Sequence, residues 1–245
     1  GETPAGNGSA NILVQGTNTT IGSLNAGNVI ADSEVGILID GYATVADIAY
    51  NRIGTNADGD AAVPNGVGIK VERGNGNRIN NNLIAYNGDG VIVKQGQGNR
   101  IIDNEIYSST RLAIDLYPAG VTINDTGDTD SGANNLQNYP VVTAAGVSGD
   151  RFIIQASFQG QPSTPYTFQF FSNPVCDPSG HGEAFDRVGN TTRTTDASGN
   201  YFIDIWVNSL TLNHYVSATA TDPSGNTSEL SPCQKIGVVG GEETM

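Results

Sequence analysis

The stretch Gly76-Asn77-Arg78-Ile79-Asn80-Asn81-Asn82-Leu83-Ile84-Ala85-Tyr86-Asn87-Gly88-Asp89-Gly90-Val91-Ile92-Val93 is soon followed by Gly98-Asn99-Arg100-Ile101. That return of Gly-Asn-Arg-Ile after about 22 residues decides the fold. The same shift carries Asn82 onto Asn104, Ile84 onto Ile106, Gly68-Ile69 onto Gly90-Val91, and Val91-Ile92-Val93 onto Ala113-Ile114-Asp115. An earlier copy reads Gly36-Ile37-Leu38-Ile39, then Asp47-Ile48-Ala49-Tyr50-Asn51-Arg52-Ile53, displaced by an insertion from Gly54 to Asn65. Asn28-Val29-Ile30 belongs to a turn before that, and Asn11-Ile12-Leu13-Val14 to the first one visible.

Each copy holds two or three very short Ile/Val strands with Gly or Asn between them, and it lacks a leucine ladder. This pattern predicts a parallel β-helix, in which coils stack and aliphatic side chains fill the bore. Asparagine tolerates a left-handed backbone at the corners. Asn51, Asn82 and Asn104 are therefore expected to stack as a structural asparagine ladder, amide on amide.

Composition narrows the function classes. The chain has 245 residues with 32 glycines, only 15% charged residues, and 25 acidic against 11 basic side chains, for a net charge of −14. No Lys/Arg cluster offers itself to phosphates, so no nucleic-acid partner is expected. No apolar run reaches the roughly 18 residues of a membrane span. The chain starts at Gly1 and has its single Met at position 245, so its natural start is expected to have been removed.

Residues from about 11 to 140 resemble the right-handed parallel β-helix repeat proteins of bacterial surfaces, which share the pectate-lyase-like fold. The strings that carry the resemblance are Asn51-Arg52-Ile53-Gly54-Thr55-Asn56-Ala57-Asp58-Gly59, Asn82-Leu83-Ile84-Ala85-Tyr86-Asn87, and Gly132-Ala133-Asn134-Asn135-Leu136-Gln137-Asn138-Tyr139-Pro140. The last marks where such helices give way to a sandwich. The resemblance implies a secreted or cell-surface bacterial protein.

From Val141 the strands lengthen and alternate: Phe152 to Phe158, Tyr166 to Phe171, Tyr201 to Val207 and Tyr215 to Ala220. Turn signals at Ser148-Gly149-Asp150, Asp196 to Asn200 and Asp222 to Asn226 separate them, which reads as a β-sandwich. Ala218-Thr219-Ala220-Thr221-Asp222-Pro223-Ser224-Gly225-Asn226-Thr227-Ser228 is similar to the last hairpin of bacterial immunoglobulin-like domains. The fold class expected is all-β, a right-handed parallel β-helix followed by an immunoglobulin-like β-sandwich. Its boundaries are 1–140 for the helix, 141–236 for the sandwich and 237–245 for a linker or disordered tail. Cys176 and Cys233, the chain's two cysteines, are compatible with one disulfide in an oxidising compartment.

Among candidate sites, Asn124-Asp125-Thr126-Gly127-Asp128-Thr129-Asp130 offers closely spaced carboxylates, and Ca²⁺ is the ion expected at Asp125, Asp128 and Asp130. The alternative is that these aspartates are turn-formers. Asp58 and Asp60 form a second, weaker loop. Gly180-His181-Gly182-Glu183 matches the Gly-His-Gly of polygalacturonases but falls in the sandwich half, away from paired aspartates. No catalytic residue is assigned. Tyr50, Tyr86 and Tyr107 could present a stripe to sugar rings or pack between coils.

The function expected is a non-catalytic extracellular adhesion or scaffolding module, with a surface glycan or protein as partner. A β-helix end exposes strand edges, so self-association or stacking is expected at the amino end. A polysaccharide lyase or glycosidase on the β-helix, and a structural subunit of a larger extracellular assembly, are the alternatives.

Overall fold

Placing the repeat copies on top of one another puts like aliphatic residues in register. In the computed structural model, which describes residues 8–41, 43–148 and 151–239, they form continuous columns. Ile30, Ile53, Ile84 and Ile106 are partners in one, and Ile21, Ile48, Ile79 and Ile101 in another. Ile12, Ile37, Ile69, Val91 and Ile114 make a third, with Val14, Ile39, Val71, Val93 and Leu116 alongside it. Nearly all of these side chains are buried in one cluster. Full burial of each aliphatic side chain contributes about 1.5–3 kcal/mol, so the bore is where the stack is held.

Three parallel sheets form the walls. The first runs Ala10–Val14, Val35–Ile39, Val67–Val71, Asp89–Val93 and Ile114–Leu116 in spatial order. The second joins Thr20–Ile21, Asp47–Ala49, Arg78–Asn80 and Arg100–Ile102, and the third joins Val29–Ile30, Arg52–Ile53, Leu83–Ala85 and Glu105–Tyr107. The chain is all-β among the described residues apart from one short 3₁₀ turn, Ala133–Leu136.

The last coil departs from the repeat in one respect. Val91 pairs with Ile114 and Ile92 with Asp115, not with Ala113 and Ile114 as a constant shift predicts. One extra residue enters before this strand. Because side chains alternate between faces, the slip keeps Ile114 and Leu116 inside and turns Asp115 outward.

The second half folds as two sheets around a separate buried cluster that includes Ile154, Phe158, Tyr166, Phe168, Phe170, Ile203 and Val216. One sheet orders Asn200–Val207, Arg151–Gln159, Val141–Ser148 and Gly237–Val238; the other orders Asp186–Thr194, Pro165–Asn173, Tyr215–Thr221 and Gln234–Lys235. Gly237–Val238 is thus an edge strand, paired with Gly146 and Val147, where the sequence suggests the start of a tail. The rest of that expected tail, from 240 onward, lies outside the described residues, as do Gly149 and Asp150 of one turn signal. Phe171, Ala184 and Leu230 from this half join the β-helix core, so the sandwich sits directly on the last coil.

Candidate functional site

The coil corners are built from a repeated pair, a left-handed residue followed by an inward-pointing asparagine. Tyr50, Asn81 and Asp103 hold φ of 61°, 53° and 56°, and each precedes one of Asn51, Asn82 and Asn104. The left-handed position expected of the asparagines therefore belongs to the residue before them. It costs a non-glycine residue about 1–2 kcal/mol, and it turns each amide into the stack. Asn51 Nδ2 donates to Asn82 Oδ1 at 3.0 Å, and Asn82 Nδ2 to Asn104 Oδ1 at 3.0 Å. Asn28 continues the ladder by donating to Asn51 Oδ1 at 2.8 Å.

Two further ladders stand at the other corners. Asn65 Nδ2 donates to Asn87 Oδ1 at 3.0 Å, and Asn77 Nδ2 to Asn99 Oδ1 at 2.7 Å. Asn77 and Asn99 stand within the Gly-Asn-Arg-Ile strings that reveal the repeat. Asn65 closes the insertion, which hides its register.

Along the first corner, stacking opens a polar groove of about 650 Å³ lined by Asn25, Tyr50, Arg52, Asn81, Asp103 and Glu105 among others. Tyr50 is 38% exposed on its rim. Asp103 is held in place, accepting from Gln169 Nε2 at 2.7 Å and paired with Arg187 at 3.4 Å. The three tyrosines do not make one stripe. Tyr86 precedes Asn87 at a different corner and meets Tyr107 edge-on at 5.9 Å, while Tyr107 meets Phe185 at 4.8 Å. Tyr107 thus packs between Tyr86 of the preceding coil and Phe185 of the sandwich half, whereas Tyr50 lines the groove.

The aspartate loop converges. One carboxylate oxygen from each of Asp125, Asp128 and Asp130 lies within 4.8 Å of the others. Much of this geometry fixes the crossover into the sandwich. Asp128 accepts from Asn138 N at 2.9 Å and Gln137 Nε2 at 2.7 Å, and Asp125 Oδ2 accepts from Thr129 N at 3.1 Å. Burial pushes the Asp128 carboxyl up to about 6, and the neighbouring Asp125 and Asp130 charges add to it. Asp125 Oδ1 and Asp130 Oδ1 are buried without a hydrogen-bond partner. The second loop stays local, with exposed Asp60 accepting from Asn56 Nδ2 at 2.9 Å.

Cys176 and Cys233 form a disulfide with Cα atoms 6.0 Å apart, closing a long loop of the sandwich onto the strand leading to its end. Within that loop His181 Nδ1 lies 2.7 Å from Leu230 O and its ring meets Tyr139 edge-on. Buried Glu183 accepts from Ser108 N at 2.9 Å and Ser109 N at 2.8 Å. The Gly-His-Gly-Glu string therefore ties the loop to the last coil.

A family model described as "Periplasmic copper-binding protein (NosD)" matches residues 4–139, more than half of the chain. No curated protein matches it. The description points to copper, which overturns Ca²⁺ as the ion expected for the aspartate loop.

Proposed function

The chain belongs to the NosD family, and from that premise we propose that it is a non-catalytic scaffold of the cell envelope that holds a glycan along one corner of its β-helix. The family's description places its namesake in the periplasm. We read residues 1–140 as the rod and 141–236 as an immunoglobulin-like domain that closes its carboxyl end. No helix among the described residues is long and apolar enough to cross a membrane.

The groove at Tyr50 carries this reading. It spans successive coils, as an extended polymer requires, and it combines an exposed aromatic ring with amides, a guanidinium and carboxylates. Sugar rings stack on aromatic faces while their hydroxyls exchange hydrogen bonds with such groups. The engagement of Asp103 with Gln169 and Arg187 supports a holding rather than a proton-transferring role.

Copper has no matching donor set among the described residues. Copper sites are built chiefly on imidazole, thiolate or thioether donors, and Cu(II) sites that use oxygen combine it with nitrogen. His181 is turned to a backbone carbonyl, His214 stands in a separate turn, both cysteines are oxidised, and Met245 lies outside the described residues. The three converging carboxylates are hard oxygen donors.

Glycan-array binding followed by mass spectrometry of the retained polymer tests the proposal. Saturable retention without cleavage, weakened about tenfold in Tyr50→Ala through loss of roughly one stacking contact, is the expected result. Cleavage of the bound polymer would move the protein to the enzyme class. Absence of binding to acidic and neutral glycans alike would overturn the groove's role.

A further inference from the structure

A second concave site lies on the outer face of the first sheet, where Asp115 faces away from the bore. Its pocket of about 430 Å³ is walled by Ile92, Leu112, Val121 and Pro178, with Asp89, Arg111 and Asp177 also at its lining. That volume is in the range of small-molecule sites. The Asp177–Ser179 wall follows directly on Cys176, so the disulfide to Cys233 anchors it.

Asp115 is the unusual member. It stands beside Ile92 in register and is only 5% exposed. Its carboxylate receives only long contacts from the Gly120 N–H, at 3.3 and 3.4 Å. Arg111 is committed elsewhere: its Nε donates to Asp89 Oδ2 at 2.8 Å and a second guanidinium nitrogen closes on the same oxygen. One buried carboxylate thus faces a mostly apolar space with no ion-pair partner of its own: the Arg111 charge reaches it only at a distance, and the Asp89 carboxylate, which holds that guanidinium, offsets it. A buried charge in that position is costly until a counter-charge with donors arrives. A hard metal ion would need several oxygen ligands, and most of this wall is carbon.

We propose that the pocket binds a small primary alkylammonium compound, with its ammonium on Asp115 and its carbon tail against Ile92, Leu112 and Val121. Burial, with the neighbouring Asp89 charge adding to it, pushes the Asp115 carboxyl up to about 6, in keeping with a carboxylate that has no ion-pair partner of its own.

Calorimetric titration with n-hexylamine, 1-hexanol and hexanoate at near-neutral pH tests this. Hexylammonium binds saturably and at least about tenfold tighter than the other two, the factor that roughly one charge-assisted hydrogen bond supplies. Asp115→Asn reduces the amine to the level of the alcohol. Ala119→Trp, on the exposed rim of the pocket, blocks the amine and the alcohol together while leaving the folded far-ultraviolet spectrum intact. Equal affinity for the three compounds, no saturable binding, or amine affinity unchanged in either variant would overturn the site.

Discussion

Glu229 Oε1 accepts the backbone N–H of Leu116 at 2.9 Å, joining a side chain of the sandwich half to the last strand of the coil stack. The relationship is repeated around the last coil. Thr227 Oγ1 accepts from Ile101 N at 3.0 Å, Gln169 Oε1 from Asp103 N at 3.1 Å, and Asn226 Oδ1 from Gly98 N at 2.6 Å. A stack of parallel strands ends in a row of unpaired N–H and C=O groups, and here side-chain oxygens satisfy the N–H groups that a further coil would have met.

Glu229→Ala is therefore expected to destabilise the fold by about 2 kcal/mol, because it strips the backbone donors of buried Leu116 and half-buried Thr122 of their acceptor. The urea midpoint measures it. An alanine at exposed Glu105 is the control, expected within about 0.5 kcal/mol of the parent.

The same carboxylate sets a pH dependence. Burial raises Glu229 to about 7, and Asp115 and Asp128 to about 6 each. A carboxyl raised in the folded state stabilises the fold while protonated, below its unfolded value, and that contribution is lost as pH rises through the folded value. Asp40 and Glu72 are shifted the other way, held down chiefly by hydrogen bonds from Arg73 and Lys70. Their contribution is lost only as pH falls through those lowered values, in strong acid. The thermal midpoint is thus expected to be higher near pH 5 than near pH 8, with the slope shallower in Glu229→Ala. A midpoint that rises from pH 5 to 8 would contradict this assignment.

Asn82 sits inside a ladder with neighbours on both sides, donating to Ile48 O at 2.8 Å as well as to Asn104 Oδ1, and accepting from Asn51 N at 3.0 Å. Asn82→Ala deletes these bonds and leaves buried backbone groups unpaired, an expected loss of about 2–4 kcal/mol. Chemical denaturation alongside Asn190→Ala, on an exposed sandwich strand, separates ladder from surface. Equal effects at the two positions would show that the ladder does not hold the coils.

How much of this was legible follows from the physics of the repeat. Ile84 and Ile106, or Asn82 and Asn104, occupy equivalent places in successive coils and carry the same letters, so the rod and one ladder can be read from the sequence. What could not be read is what stacking brings together from distant letters. Tyr50 and Asp103 meet across one groove because two coils lie between their positions in the chain. Tyr50 and Tyr86 look equivalent, each preceding an asparagine, but Asn51 leads into the third sheet and Asn87 into the first. A single extra residue in the last coil turned Asp115 outward, and a constant-shift alignment puts its register one place off. That the second half caps the rod follows from the order of the two patterns, but the residues of the cap were hidden for a different reason: Glu229 and Leu116 are linked only by the packing of two separately built halves.

Gly36, Gly68 and Gly90 occupy one column of the first sheet, since their flanking residues pair as Val35 with Val67, Ile37 with Ile69 and Val91 with Ile69. Space, not a left-handed backbone, demands glycine here. A Cβ at Gly68 would lie 2.6 Å from Gly90 O and 2.8 Å from the Ile84 Cγ2 methyl, closer than real contacts allow. Relief would have to come from the backbone of the next coil, which the neighbouring columns hold in place. Gly68→Ala is expected to cost about 1–3 kcal/mol, as overpacking of a close-packed interior does. Gly237, on the edge strand of the sandwich, has nothing within 4 Å of the same added atom. Gly237→Ala is accordingly expected to leave the urea midpoint nearly unchanged. If both substitutions prove equally silent, the coils can spread at this column, and the rigidity on which the scaffold reading depends would be lost with it.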